Sequence, residues 1–182
     1  MIQRENGSLS PSTFQNKLHI TLLVFVFSYG SQGKSNFILF PLNKDGFPEE
    51  KGAQITSIEG SGPNPQRQDH SYCHQVLFHK GYLYIVDLGT DTISTYRFND
   101  TDGTVELVGN RIRTEAGAGP RHIIFHPNKP LAFVCNELNS TTNVYQVNAS
   151  SGQLEFLQTI KTRREEDERG LLENNKGLPF QI

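Results

Sequence analysis

The sequence holds no tryptophan, one methionine and two cysteines in 182 residues. Two thiols, Cys73 and Cys135, cannot build the disulfide framework of a small secreted scaffold. They are expected to be simple packing residues. Charge of neither sign is in excess, since 17 Lys and Arg stand against 19 Asp and Glu. That balance leaves no basic footprint for nucleic acid or for an acidic membrane surface, so neither partner is expected. Long apolar runs are also missing. The apolar stretch Ile20–Tyr29 falls well short of the about 20 residues that a membrane-spanning helix needs. It follows Arg4 and Lys17, as the centre of a signal peptide would. Its Val24, Phe25, Val26 and Phe27 are strand formers, however, and further β-rich runs follow, so a buried strand is the expectation. No P-loop, dinucleotide fingerprint or nucleophile elbow occurs, and no cofactor is expected.

What is present is a succession of short β-rich runs between Gly, Asn and Asp turns. Residues 1–17 are polar and aperiodic and read as an irregular arm. From 18 to 160 the runs include NFILFPL, QITSIEG, GYLYIVDLG, ISTYRF, HIIFHP, LAFVCNEL and NVYQV. They also recur in order. His74-Gln-Val-Leu-Phe-His is matched by His122-Ile-Ile-Phe-His, an offset of 48. LYIVDL is matched by LAFVCNEL, and STYRFN by TNVYQVN with Tyr96 and Tyr145 49 apart. A period in the forties with about four strands per unit marks β-propeller blades. The predicted fold is therefore all-β, with about three blades over roughly 18–60, 74–121 and 122–160, and a charged irregular tail at 161–182. Propellers close rings of about 4–8 blades. Three blades leave open faces, so the chain is expected to be part of a longer protein.

Several constellations could carry chemistry. Gly60-Ser-Gly-Pro-Asn-Pro-Gln-Arg67 and Gly117-Ala-Gly-Pro-Arg121-His122 are rigid loops, each bringing an arginine to a strand start. A guanidinium fork suits a carboxylate or phosphate. The bland alternative is an arginine bound to loop carbonyls. Glu137 follows the apolar strand LAFVC, where an unpaired carboxylate is costly. It is expected either to pair with Arg121 or to act as a base. The equivalent stretch one unit earlier is Asp87-Leu88-Gly89, so an acidic residue recurs near this strand end, with turn chemistry the competing explanation for Asp87. The histidines are spread over two units. His122 and His126 on one strand face would lie about 13 Å apart, too far for one ion, so no metal is expected.

Together, GSGPNPQRQ, His74-Gln-Val, LYIVDLGTDTISTY, GAGPRHIIFHP and NEL closely resemble the lactonase family of seven-bladed β-propellers. Its members include the propeller-type 6-phosphogluconolactonases and the carboxy-cis,cis-muconate cyclases. The resemblance runs from about Leu23 to Ile160. It implies a cytoplasmic hydrolase of carbohydrate metabolism, in the pentose phosphate pathway, that opens 6-phosphogluconolactone to 6-phosphogluconate by attack of water on the ring carbonyl. It implies a small-molecule lactone as partner and leaves the oligomeric state open. Carried over residue by residue, it assigns His74, Arg121 and Glu137 to catalysis. Arg67, Asp87 and His122 are assigned to substrate binding. Two departures stand out: Tyr72 replaces the first histidine of the family's His-x-His stretch, and the later blades with their Asn-Arg motif are absent. An inactive partial chain and a non-catalytic binding scaffold are the alternative readings.

Overall fold

The computed structural model describes residues 21–29, 34–50, 54–99 and 101–163. The predicted arm at 1–17 and most of the predicted tail lie outside them. Twelve strands and no helix occur among the described residues. They form three antiparallel sheets. The first joins β1 (Thr21–Tyr29), β2 (Lys34–Leu42) and β3 (Gln54–Glu59) in sequence order. The second runs β4 (Cys73–His79), β5 (Tyr82–Asp87), β6 (Thr92–Phe98) and β7 (Val105–Leu107), with β8 (Ile112–Arg113) also paired to β6. The third runs β9 (Pro120–Phe125), β10 (Leu131–Asn136), β11 (Thr141–Val147) and β12 (Leu154–Lys161). These are about three blades of a β-propeller. The apolar run Ile20–Tyr29 supplies β1 from Thr21 on.

The sheets stack face to face because each central strand is apolar on both sides. In β5, Tyr84 and Val86 point one way and Leu83 and Ile85 the other, as the two-residue period of a strand requires. Leu83, Ile85, Cys73 and Tyr96 pack with Phe37, Leu39 and Ile58 of the first sheet. Tyr84, Val86, Leu77 and Ile93 pack with Ile123, Phe125, Ala132, Val134 and Tyr145 of the third. Polar groups tie the same seams. Ser35 donates to the Ser71 carbonyl at 2.6 Å. The Ile123 amide donates to the Gln75 side chain at 2.6 Å. The Tyr84 hydroxyl donates to the Gly152 carbonyl at 2.8 Å.

The ladder corrects the alignment read from the sequence. Both inner strands carry a bulge at their start. It falls between Cys73 and Gln75 in β4, and opposite Cys135 and Asn136 in β9. Cys73 faces Asp87 and Gln75 faces Val86, while Pro120 faces Asn136 and His122 faces Cys135. The unpaired bulge residues are therefore His74 and Arg121, which occupy equivalent positions 47 residues apart. The His-to-His match at 48 is one residue out of step, because like residue types stand next to, and not on, the equivalent position.

Candidate active site

Two loops and one turn meet at the edge of the second and third sheets. The first loop, Gly60–Tyr72, is held by Gln68, whose side chain is fully buried. Gln68 Nε2 donates to the Leu88 carbonyl at 2.8 Å and to Asp91 Oδ1 at 2.7 Å. Its Oε1 accepts from the Asn64 amide at 3.1 Å. The second loop, Thr114–Gly119, is held by the same Asp91. The Asp91 carboxylate accepts from the Gly117 amide at 2.7 Å and the Gly119 amide at 2.8 Å. Asp91 itself sits in the left-handed region at φ 55°. It thus clamps the loop that carries Arg67 and the loop that leads into Arg121 to the β5–β6 turn.

The clamp leaves Arg67 and Arg121 converging on Glu137. Glu137 is placed by its amide, which donates to the Gly119 carbonyl at 2.8 Å. Its Oε1 accepts from Arg67 Nη2, and its Oε2 lies 3.2 Å from Arg121 Nη1. Arg121 Nε donates to His74 Nε2 at 3.0 Å. The ring of His122 stands edge-on to that of His74 with centroids 5.0 Å apart. The structure therefore brings five of the six site residues named from sequence into one chain of contacts: Arg67, Glu137, Arg121, His74 and His122.

This arrangement sets the state of the histidines. An Nε2 that accepts from a guanidinium must carry a lone pair, so His74 is neutral with its proton on Nδ1. Loss of water around the ring holds its pKa below the ordinary histidine value, and the charge of Arg121 adds to this. The pKa of His122 is lowered in the same order, by desolvation first and Arg121 second. The result is a neutral imidazole beside two guanidinium groups that share one carboxylate.

Asp87 is the exception. It is 1% exposed, and its carboxylate is closed between its own turn and the end of the Gly60–Tyr72 loop. Oδ1 accepts from the amides of Tyr72 at 2.8 Å, Gly89 at 2.9 Å and Thr90 at 3.2 Å. Oδ2 accepts from the Ser71 hydroxyl. With these lone pairs filled and no water access, Asp87 holds the turn and does not reach a substrate. The two residues that organise the site, Gln68 and Asp91, were not singled out from sequence, although they lie within the motifs GSGPNPQRQ and LYIVDLGTDTISTY. Among the described residues, no three His, Cys, Asp or Glu side chains are grouped as metal donors. No helix there is long and apolar enough to cross a membrane.

Stacked antiparallel sheets with an Arg–Glu–Arg–His cluster at the loop end define a partial β-propeller. More particularly, a family model described as lactonase, seven-bladed β-propeller, matches residues 12–174, and the chain belongs to that family. It is 35% identical over 124 residues to a 6-phosphogluconolactonase of Buchnera aphidicola, covering 66% of this chain and 34% of that one. It is 34% identical over 139 residues to a 6-phosphogluconolactonase of Cronobacter sakazakii, covering 75% and 37%. A crystal structure from Bacteroides fragilis, provisionally assigned as a 6-phosphogluconolactonase, superposes with a TM-score of 0.65 at 25% identity, over 77% of this chain and 43% of that one. The chain spans about a third of the length of the curated relatives it matches.

Proposed function

We propose that the chain carries the catalytic cluster of a cytoplasmic lactonase that opens 6-phosphogluconolactone to 6-phosphogluconate. One observation carries the reading: Arg67, Glu137, Arg121 and His74 form a continuous contact chain around a neutral imidazole. The relatives named above supply the substrate class. In this reading a water molecule attacks the ring carbonyl carbon and passes its proton to His74 Nε2. Arg121 turns its Nε–H from that nitrogen to the developing oxyanion, where a fixed cationic donor is most effective. The bond from the carbonyl carbon to the ring oxygen then breaks. The proton on His74 returns to that oxygen, giving the hydroxy acid. Glu137 holds both guanidinium groups in place and so acts as a positioning residue, because its oxygens are already engaged by Arg67 and Arg121. Arg67 lies at the rim, where it can bind the substrate's phosphate.

The test is hydrolysis of 6-phosphogluconolactone by the purified chain and by Arg121→Ala, His74→Gln and Glu137→Gln. Loss of an oxyanion donor or a base is worth about 10²–10³-fold in rate. Wild-type rates in all three variants would refute the assignment.

A second reading has its own support. The outward face of the third sheet leaves Ile124 59% and Ile160 49% exposed, the kind of surface that a further blade covers. On this reading the chain binds the lactone without turning it over, and activity belongs to a longer ring. Saturable lactone binding without hydrolysis would favour it.

A further inference from the structure

The outer strand of the second blade is broken. β7 ends at Leu107 and β8 resumes at Ile112, with Gly109 between them at φ 64°. The break takes Asn110 and Arg111 off the ladder. Ile112 turns its side chain toward the apolar core, so the two arginines flanking it, Arg111 and Arg113, point away from that core. Both line a cavity of about 400 Å3 together with Ser61, Thr90, Thr92 and Asn110. A second cavity of about 180 Å3 shares Ser61, Thr90 and Arg113 with it and extends the groove along the Gly60–Pro63 loop to Asp91, whose carboxylate is already engaged by Gln68 and the amides of Gly117 and Gly119.

The lining is built for negative charge. Arg111 is partly buried, and its charge reaches the Tyr96 hydroxyl and the Cys73 thiol. Among the described residues the ion pairs within 4.0 Å are Lys34–Glu59, Arg67–Glu137, Arg121–Glu137 and Asp69–His70. Neither Arg111 nor Arg113 has one. A guanidinium partly withdrawn from water without a counter-charge is costly, and an anion in the groove would remove that cost. Glu59, which also lines the cavity, is neutralised by Lys34 at 2.5 Å. Thr90 and Thr92 are 6% and 4% exposed, and their hydroxyls share one hydrogen bond at 2.7 Å. That bond uses one hydroxyl proton and leaves the other to donate. The cavity falls within the about 300–1,000 Å3 of small-molecule sites.

We propose that this groove is a phosphate-group site, separate from the Arg67–Glu137–Arg121 cluster, in which Arg111 and Arg113 hold the oxygens of free phosphate or of a small phosphorylated metabolite. The site does not depend on the lactonase reading, since it shares no charged residue with the cluster.

The experiment is a titration of the purified chain with inorganic phosphate and, separately, with glucose 6-phosphate. It is followed by the arginine Nε–Hε NMR signals, which distinguish the two arginine groups. The expected result is a saturating shift of Arg111 and Arg113, with affinity at least about tenfold weaker in Arg113→Gln, a loss in keeping with a charge-assisted contact. Arg113 is exposed, so this variant folds even if Arg111→Gln does not. Tighter binding of glucose 6-phosphate would assign the site to a phosphorylated metabolite, and equal binding to phosphate itself. Shifts confined to Arg67 and Arg121, or none that saturate with either probe, would overturn the proposal.

Discussion

Asp91 is the residue whose removal tests the architecture of the site most severely. Its carboxylate is 4% exposed and accepts three hydrogen bonds, from Gln68 Nε2 and the amides of Gly117 and Gly119. Hydrogen bonds to a charged group contribute about 1.5–3 kcal/mol each, and bonds to one group add less than fully. Alanine also meets a left-handed backbone at φ 55°, which costs a residue without a locally bonding side chain about 1–2 kcal/mol. Together these place Asp91→Ala about 4 kcal/mol below the wild type, a large part of the about 5–15 kcal/mol that a domain has. Asn at this position tolerates the left-handed conformation and keeps one acceptor oxygen, so Asp91→Asn is expected to cost about 1–3 kcal/mol. In urea, with a slope of about 2 kcal/mol per molar, the alanine midpoint would fall by about 2 M. The order Ala worse than Asn worse than wild type is the signature of the clamp. An alanine variant within about 0.5 kcal/mol of wild type, the range of an ordinary surface change, would show that the two loops hold themselves.

Three further outcomes are expected. In an imidazole NMR titration, His74 and His122 should both have midpoints below about 6.5, as their lowered pKa values require. Arg121→Gln should raise the His74 midpoint and Glu137→Gln should lower it, since the first charge opposes protonation and the second favours it. Because both rings fold better neutral, their contribution to stability is intact above about 6.5 and is lost as pH falls through the depressed native values; a midpoint above the ordinary histidine value would contradict the site's electrostatics. Gly89→Ala should be far more damaging than Gly81→Ala in thermal melts. A Cβ at Gly89 would stand 1.9 Å from the His70 carbonyl oxygen and 2.6 Å from the Tyr72 nitrogen, whereas at Gly81 it meets open space and only the strain of φ 84°. Melts in which Gly89→Ala was the milder of the two would contradict the packing described. Tyr84→Phe should cost about 1 kcal/mol in urea unfolding, because it leaves the Gly152 carbonyl unpaired across the seam between the second and third blades. No loss would mean that this hydrogen bond contributes nothing to the seam.

The strands were legible because each is written twice, once in composition and once in the repeat. LYIVDL and LAFVCN are both continuous apolar runs that lead into a turn, so either run predicts the other. Arg67, Arg121 and Glu137 were legible as charges standing at the ends of apolar runs, where a charge needs a reason. Asp87 was misread for that same reason. An aspartate after Val86 looks identical whether its lone pairs face a ligand or two amides of its own turn and one of the neighbouring loop, and only the loops' paths separate the two. Gln68 and Asp91 were invisible as partners. Nothing in their spacing of 23 residues reveals that one side chain reaches the other across two loops.

The one-residue slip in the inner strands explains why the site forms where it does. Outside the bulge the repeat is conservative: Val76 and Ile123, Ile85 and Val134, Tyr96 and Tyr145 occupy matching places on the faces that pack toward the preceding sheet. At the bulge the two blades differ, with His74 in one and Arg121 in the next. A bulge residue has no ladder partner, and its side chain is re-aimed out of the sheet's alternation. The turn behaves in the same way. Asp91 and Ser140 share its left-handed corner at φ 55° and 53°, while the place of Leu88, 3% exposed in the second blade, is taken in the third by Glu137. A bare carboxylate at a position shaped for leucine requires counter-charges, and the arginine at the neighbouring bulge and the one on the preceding loop provide them. Local rules broken at matching points of a repeat are the expected mark of a functional site. The Arg–Glu–Arg–His chain therefore draws on the two positions, the bulge and the turn, at which the second and third blades differ, completed by Arg67 of the preceding loop.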